Sequence, residues 1–227
     1  MFWTAGRGHA EGMTAPDLPA PRPVLWPLRP LDSAAVRTAA RDGRTVVTIR
    51  HALLSDITPE MLSWWYAHVS GTMRYAGQQW PRYLVWHPLD HIAYDVTSPS
   101  TDGTVGPGAR LHITEAPGRD LDQLIDIRVG VEQIDSQAAI ISSRKWGTSL
   151  VRLENEFTAA RGGTRYVTRM TIGDSTPLGR VVLNRLAHAK AFHRAKLTAW
   201  IKHHIEEIGN LENFLPDLFR YRSDHEP

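Results

Sequence analysis

The sequence predicts an α+β domain in which a curved antiparallel sheet grips one long C-terminal helix, with a central cavity between them. Three observations lead there. The middle of the chain is a succession of short strand-like segments separated by turn signals such as Asp102-Gly103 and Gly162-Gly163, as antiparallel strands with tight connections require. The longest helical pattern follows them, opened by Ser175-Thr176-Pro177 and running to about Asn213, ahead of Pro216. The chain has 227 residues, 42% of them apolar, enough for one domain with a continuous core. A sheet with one apolar face and a helix with one apolar stripe pack most economically against each other.

Taken in order, residues 1–30 are proline-rich and aperiodic, and are expected to form an extended or disordered arm that wraps the rest through Leu25 and Trp26. Residues 31–227 are expected to form the single domain. The stretch TVVTIRHALL from Thr45 reads as a strand. Thr58 is placed to cap a helix whose first position is Pro59, where a missing N–H costs nothing. Residues 71–83 read as another short helix, broken before Pro81. Strands are expected at 91–97, 109–116, 122–134, 137–144, 148–158 and 164–172.

Composition excludes several classes of function. The chain has no cysteine, which removes disulfides, a thiol nucleophile and thiolate metal sites. Its 26 basic and 24 acidic side chains give a net charge of +2, too small an excess for a nucleic-acid groove. No run of eighteen apolar residues exists and the first residues lack the apolar stretch of a signal peptide, so a cytoplasmic protein without a membrane span is expected. There is no G-x-S-x-G elbow, and the glycine-rich 103–108 segment lacks the lysine and following helix of a phosphate loop.

The informative residues are polar ones on faces that should be apolar. At 100° per residue the last helix gathers Val182, Leu186, Ala189, Leu197, Trp200, Ile208 and Leu211 on one stripe, and Glu207 falls inside it, with Glu206 on the opposite, wet side. His204 lies near the centre of the stripe and His203 at its border. Glu207 therefore has two candidate partners, His203 at i−4 and His204 at i−3. In the strand Arg110-Leu111-His112-Ile113-Thr114-Glu115, alternation puts Glu115 on the face of Leu111 and Ile113. In Trp86-His87-Pro88-Leu89-Asp90-His91, Pro88 opposes a shared helical face, and His91, opening a strand, is the better placed to aim at a cavity. A buried carboxylate is costly unless it is paired or bound to a metal. Two imidazoles and two carboxylates without thiolate suit zinc, iron(II) or manganese.

Two segments, YLVWHPLDHIAYDV (83–96) and HHIEEIGNLENFLPDLF (203–219), resemble the 2,4-diacetylphloroglucinol hydrolase family and the related phloretin hydrolases. The ITEAPG and TRMTIG segments (113–118 and 168–173) are similar to further blocks of that family, so the resemblance spans residues 45–220. It implies a START-like helix-grip fold and a divalent metal, zinc, held by His91, Glu115, His203 and Glu207. It also implies a homodimer, and hydrolysis of the carbon–carbon bond between an acyl group and a polyphenol ring, the substrate being a small acylated polyphenol. Tyr83 matches a tyrosine eight positions before the first ligand histidine, and Tyr166 approximates a second tyrosine on a later strand. His87 or His112 would shuttle the proton. Tyr94 stands where the family carries an asparagine, so the acyl pocket departs from the family pattern. Two other readings are compatible with such a fold: a non-catalytic carrier of an apolar small molecule, and a metal-free polyketide cyclase.

Overall fold

The computed structural model describes residues 18–101, 103–145, 148–174, 176 and 193–221. The expected helical stripe residues Val182, Leu186 and Ala189 lie outside the described residues. Among the described residues, eleven strands and three α-helices position the site. The strands are β1 (Ala35–Arg41), β2 (Arg44–Arg50), β3 (Leu54–Ser55), β4 (Thr72–Tyr75), β5 (Gln78–Pro81), β6 (His91–Ser98), β7 (Arg110–Glu115), β8 (Ile125–Ile134), β9 (Ala138–Lys145), β10 (Thr148–Ala160) and β11 (Gly163–Ile172). The helices are α1 (Pro59–His68), α2 (Arg82–Trp86) and α3 (Arg194–Arg220).

The main sheet has nine strands in the order β1-β2-β11-β10-β9-β8-β7-β6, with β3 added beside β11, and every pairing is antiparallel. Strands β6 to β11 each pair with their neighbour in sequence, through short turns from β8 onward and through longer connections at 99–109 and 116–124. Alternation shows in β11, whose side chains turn in and out one by one through Thr164, Tyr166, Thr168, Met170 and Ile172. Helix α3 lies in the grip of this sheet, burying Trp200, Ile205, Ile208, Leu211 and Leu215. The architecture is the helix-grip one: an antiparallel sheet around a long C-terminal helix.

Helix α1 starts as the sequence predicts, with the Thr58 hydroxyl accepting from the Met61 amide at 3.3 Å and Pro59 at the first helical position. Three expectations are corrected. Residues 72–81 form the β4–β5 hairpin instead of a helix, turning at Ala76 and Gly77, both with positive φ (52° and 80°). That two-residue turn matches the strand twist, and Met73 and Tyr75 alternate into the core. Strand β1 has no counterpart in the sequence reading, because it is exposed along nearly its whole length and shows no alternation. Helix α3 begins at Arg194, after an extended His193 that interrupts the helix expected from Pro177, and it runs through Pro216 to Arg220, beyond the expected stop near Asn213. Burial of Leu215 and Leu218 on either side of Pro216 holds the last turns despite the lost backbone bond.

Residues 18–30 contain no helix or strand. Trp26 packs on Tyr75 and Phe214, with ring centroids 5.6 and 6.5 Å away, whereas Leu25 is half exposed and does not pack inward. No helix among the described residues is long and apolar enough to cross a membrane.

Candidate functional site

Between the sheet and α3 lies a cavity of about 120 Å³, walled mostly by aliphatic side chains from β7 to β11, including Ile113, Ile127, Val129, Leu153 and Met170. By the same measure a single water needs roughly 10–15 Å³, so the space suits a small organic molecule. Its polar end is formed by Tyr83, Glu115, His204 and Glu207.

Strand register builds the first half of that end. His91 is paired directly opposite Glu115 across β6 and β7, so both side chains project from the same face. A register shift between His91 and Ala93 gives β6 one extra residue, which bends the strand away immediately after the histidine. Helix α2 supplies Tyr83, whose ring stacks flat on the His91 ring at 3.8 Å and whose hydroxyl donates to Glu115 Oε2 at 3.2 Å. Helix α3 brings the second half, His203 and Glu207, one turn apart on the helix. Two ties lock α3 to α2: Trp86 Nε1 donates to the Glu207 carbonyl at 2.8 Å, and Asn210 Nδ2 donates to the Trp86 carbonyl at 2.9 Å.

The two imidazoles are oriented from behind. His91 Nδ1 bonds the Tyr83 carbonyl at 2.6 Å, which fixes the proton on that nitrogen, and His203 Nδ1 bonds Asp90 Oδ2 at 3.0 Å. Each Nε2 therefore points forward, and both are buried with no hydrogen-bond partner. His91 Nε2 lies 3.3 Å from Glu207 Oε2 and 3.8 Å from Glu115 Oε2; His203 Nε2 lies 3.4 Å from Glu115 Oε2 and 3.9 Å from Glu207 Oε2. Nitrogen lone pairs facing carboxylate oxygens repel unless a cation or proton sits among them. The ligand atoms of His91, His203 and Glu207 all lie within 4.8 Å of one another, a set that could hold a metal ion. A second such set, His87, Asp90 and His203, lies behind the first, but there the groups are already bonded to each other.

The charges fit the same picture. Burial alone would push the His203 imidazole down, but Glu115, Asp90 and Glu207 hold it well above its ordinary value. Burial would likewise raise Glu207, yet His204, His91 and His203 keep its carboxyl well below the usual carboxylate range. Glu115 is lowered against its own burial by His203 and His91. Asp90 is lowered to about 2, the bond from His203 and the nearness of His87 outweighing burial. Burial, with Glu115 and Glu207 alongside, raises Tyr83 well above the ordinary phenol value, so it stays protonated and a donor.

On the other side of Glu207 a different network forms. His204 Nδ1 bonds Glu207 Oε1 at 2.5 Å, and His204 Nε2 bonds Thr168 Oγ1 at 2.8 Å. Thr168 donates to Asn155 Oδ1 at 2.9 Å and meets His51 Nε2 at 3.1 Å. Asn155 Nδ2 donates to the Tyr66 hydroxyl at 3.3 Å, and that hydroxyl bonds the hydroxyl of Tyr166.

Of the residues predicted from sequence, the structure brings together His91, Glu115, His203, Glu207 and Tyr83. Of the two candidate partners of Glu207, His204 bonds Oε1, and His203 faces Oε2 from 3.9 Å without a bond. His87 is not on the cavity wall. It stacks behind His203 at 4.4 Å, its Nδ1 accepts from the Asp90 amide, and its Nε2 faces Glu206 at 3.3 Å. Burial lowers it to about 4. Tyr166 reaches the cavity only through Tyr66. His112 sits on the outer face of β7 with Asp126, 2.5 Å away, and the structure does not bring it to the cluster. Glu206, expected in water, is buried and accepts from Lys202 at 2.6 Å. The 87–90 loop covers that side of α3, which a helix wheel cannot foresee. The sequence reading did not single out Asp90, Thr168, Asn155 or Tyr66 as site residues, although Asp90 lies in the W-H-P-x-D-H string and Thr168 opens the TRMTIG segment.

No protein-family model matches the chain, and neither does any curated protein. Among solved structures it is similar to the KanY protein, at 11% identity and a TM-score of 0.47 over 80% of this chain and 98% of that one. It is also similar to NE0264 from Nitrosomonas europaea, at 10% identity and a TM-score of 0.45 over 79% of this chain and 99% of that one. A third is Ara h 8.0201, at 15% identity and a TM-score of 0.37 over 75% and 98%. These are likenesses of overall shape and bear on no residue of the site.

Proposed function

We propose that the chain is a zinc-dependent hydrolase that cleaves the carbon–carbon bond between an acyl group and a phloroglucinol-type ring. The observation that carries this reading is the pair of buried, unbonded Nε2 atoms of His91 and His203, aimed at Glu115 and Glu207 where the polar cluster meets the apolar cavity. Tetrahedral ligands at about 2.0–2.1 Å from zinc stand roughly 3.3 Å apart, and the nearest nitrogen–oxygen separations are 3.3 and 3.4 Å. The W-H-P-x-D-H and H-x-x-x-E strings of the sequence support the same assignment.

Held by His91, His203, Glu207 and Glu115, zinc would polarise a ketone or phenolic oxygen and lower the pKa of a bound water to about 7. Four protein ligands leave no free tetrahedral position. Glu115, which already shares Oε2 with the Tyr83 hydroxyl, is the ligand best arranged to yield. The aliphatic wall receives the ring and excludes bulk water. Among the described residues, the lining carries the carboxylates of Glu115 and Glu207 and no lysine or arginine, so a neutral ligand is favoured over an anion. Tyr83, kept protonated, donates to a ligand oxygen in place of Glu115.

The chemistry balances as a retro-Claisen hydrolysis. A proton adds to the ring carbon bearing the acyl group, converting the ring to its keto form. Water adds to the acyl carbonyl, and the carbon–carbon bond breaks with its electron pair returning to the ring, giving a phenol and a carboxylic acid. Tyr94 lines the cavity where the family has an asparagine, which makes the acyl end more apolar and smaller.

The test is metal content by elemental analysis of wild type and Glu207→Ala, followed by turnover of acylphloroglucinols. About one zinc per chain, lost in the variant, together with cleavage by wild type, is expected. A folded wild type that refuses added zinc overturns the reading. The nearly all-apolar wall also favours a second reading, a carrier of an apolar small molecule. In that case His203→Ala would change ligand affinity with no metal to lose.

A further inference from the structure

We propose that residues 18–29 are a strap that positions the metal-binding loop from outside, and that Arg22 is a positioning residue for His91; the metal part of this claim rests on the function proposed above. Arg22 is buried to 3% exposure, and its Nη2 donates to the carbonyl of His91 at 2.5 Å, while its own amide donates to the Pro88 carbonyl at 2.9 Å. A second guanidinium, Arg119, ties Leu89 to the strap, with Nη1 on the Leu89 carbonyl and Nη2 on the Pro19 carbonyl, both at 3.0 Å. The turn that delivers His91 is thus gripped at three carbonyls, those of Pro88, Leu89 and His91, by donors from the strap and from the 3₁₀ turn at 117–119.

The other end of the strap reaches the helix that carries the remaining ligands. The Tyr75 hydroxyl donates to the Pro23 carbonyl at 2.5 Å, and Trp26 packs against Phe214. Arg29 pairs with Glu212, and its side chain lies on Gly209, where a Cβ would stand 2.4 Å from Arg29 Cδ. Gly209 is two residues beyond Glu207. One short segment therefore touches both ligand-bearing parts of the chain, the 87–91 loop and α3.

Stability alone does not account for Arg22. None of its described contacts is a carboxylate, and its Nε is buried and unbonded. A buried cation without a paired anion is worse for stability than an apolar side chain of similar volume. What the guanidinium supplies is a fixed donor on the backbone of a ligand residue, the kind of support that sets the direction of an imidazole.

The experiment uses the full chain with Arg22→Met, Arg22→Lys and Leu62→Ala. Zinc affinity is measured by competition with a chelator, amide hydrogen exchange is followed at residues 87–91 and 116–118, and the metal-free melting temperature is recorded. Arg22→Met should weaken zinc binding about tenfold or more and speed exchange at the His91 and Ala116 amides, without lowering the metal-free melting temperature. Arg22→Lys, keeping one donor, should recover part of the affinity. Leu62→Ala, which empties a buried position of α1 outside both the strap and the cluster, should melt earlier with zinc affinity unchanged. Native exchange at 87–91 in Arg22→Met overturns the proposal, as does a loss of affinity that merely tracks melting temperature across the variants. Should wild type bind no zinc, the metal reading falls by itself. Exchange then decides the strap: faster exchange in Arg22→Met upholds the positioning of the His91 loop, and native exchange overturns it.

Discussion

His203 and His204 are adjacent on one helix and equally buried, yet they sit in opposite kinds of surroundings. Around His204 every polar group has a partner: Glu207, Thr168, Asn155, His51 and Tyr66 form one continuous network. Around His203 the back is satisfied by Asp90, but the front, with His91, ends in two bare nitrogens facing two carboxylates. A fully bonded buried network fixes a conformation, whereas a partly bonded one is destabilising unless something completes it. The difference separates the side of Glu207 that holds from the side that binds.

Replacing a residue on each side tests that division. His203→Ala should abolish stoichiometric metal binding and turnover together, the largest effect expected, read by elemental analysis and by assay. If the metal persists, the binding side is misassigned. His204→Ala should keep one metal per chain but weaken it by roughly 10–100-fold, because Glu207 loses the bond that holds Oε1. An effect as large as that of His203→Ala would erase the distinction. pH gives a third comparison. Burial and the neighbouring His204 lower His51 to about 2, so below its unfolded value near 6.5 the unfolded chain takes up a proton that the folded one refuses. Stability contributed by His51 is intact above pH 6.5 and is lost as pH falls toward 2. Between pH 6.5 and 5 that amounts to at most about 2 kcal/mol, less whatever solvent screening removes. His203, raised by its acidic neighbours, has the opposite sign in metal-free protein: its contribution is present below pH 6.5 and fades as pH climbs through its folded value. Denaturant melts of metal-free His51→Gln should therefore show a shallower loss on acidification than wild type, and a curve of unchanged slope would remove His51 from the account. The smallest effect is expected from His112→Ala, on the outer face of β7: metal content unchanged and stability within about 0.5 kcal/mol.

The same contrast explains what could be read without coordinates. Glu115 and Glu207 were legible because each interrupts an apolar periodicity of its own strand or helix, and a period needs no knowledge of the partner; His91 was legible because it opens a strand just after Pro88. The central strands were legible for the same reason, one face being buried and the other wet. Strand β1 has neither face buried, so it left no pattern, although the Asp42-Gly43 turn that joins it to β2, with φ of 51° and 73°, was present as a hairpin signal. The β4–β5 segment was too short for its alternation to outweigh a helical reading. Glu206 was misassigned because the wheel knows only its own helix, while the 87–90 loop buries a second side of it. Asp90, Thr168 and Arg22 act through contacts 113, 36 and 69 residues away in the chain, which no local pattern encodes.

The pairing of His91 with Glu115 also orders events in time. These two residues lie on neighbouring strands and can meet as soon as β7 has been synthesised and paired, while His203 and Glu207 belong to α3, which is made much later. Until that helix docks, the concave face of the sheet stands open, with its aliphatic wall and Glu115 in water, and such exposed faces are where folding intermediates stick to one another. Helix docking is thus the step at which the chain stops being aggregation-prone and becomes able to bind, so a defect that slows docking should appear first as insoluble protein and only afterwards as lost activity.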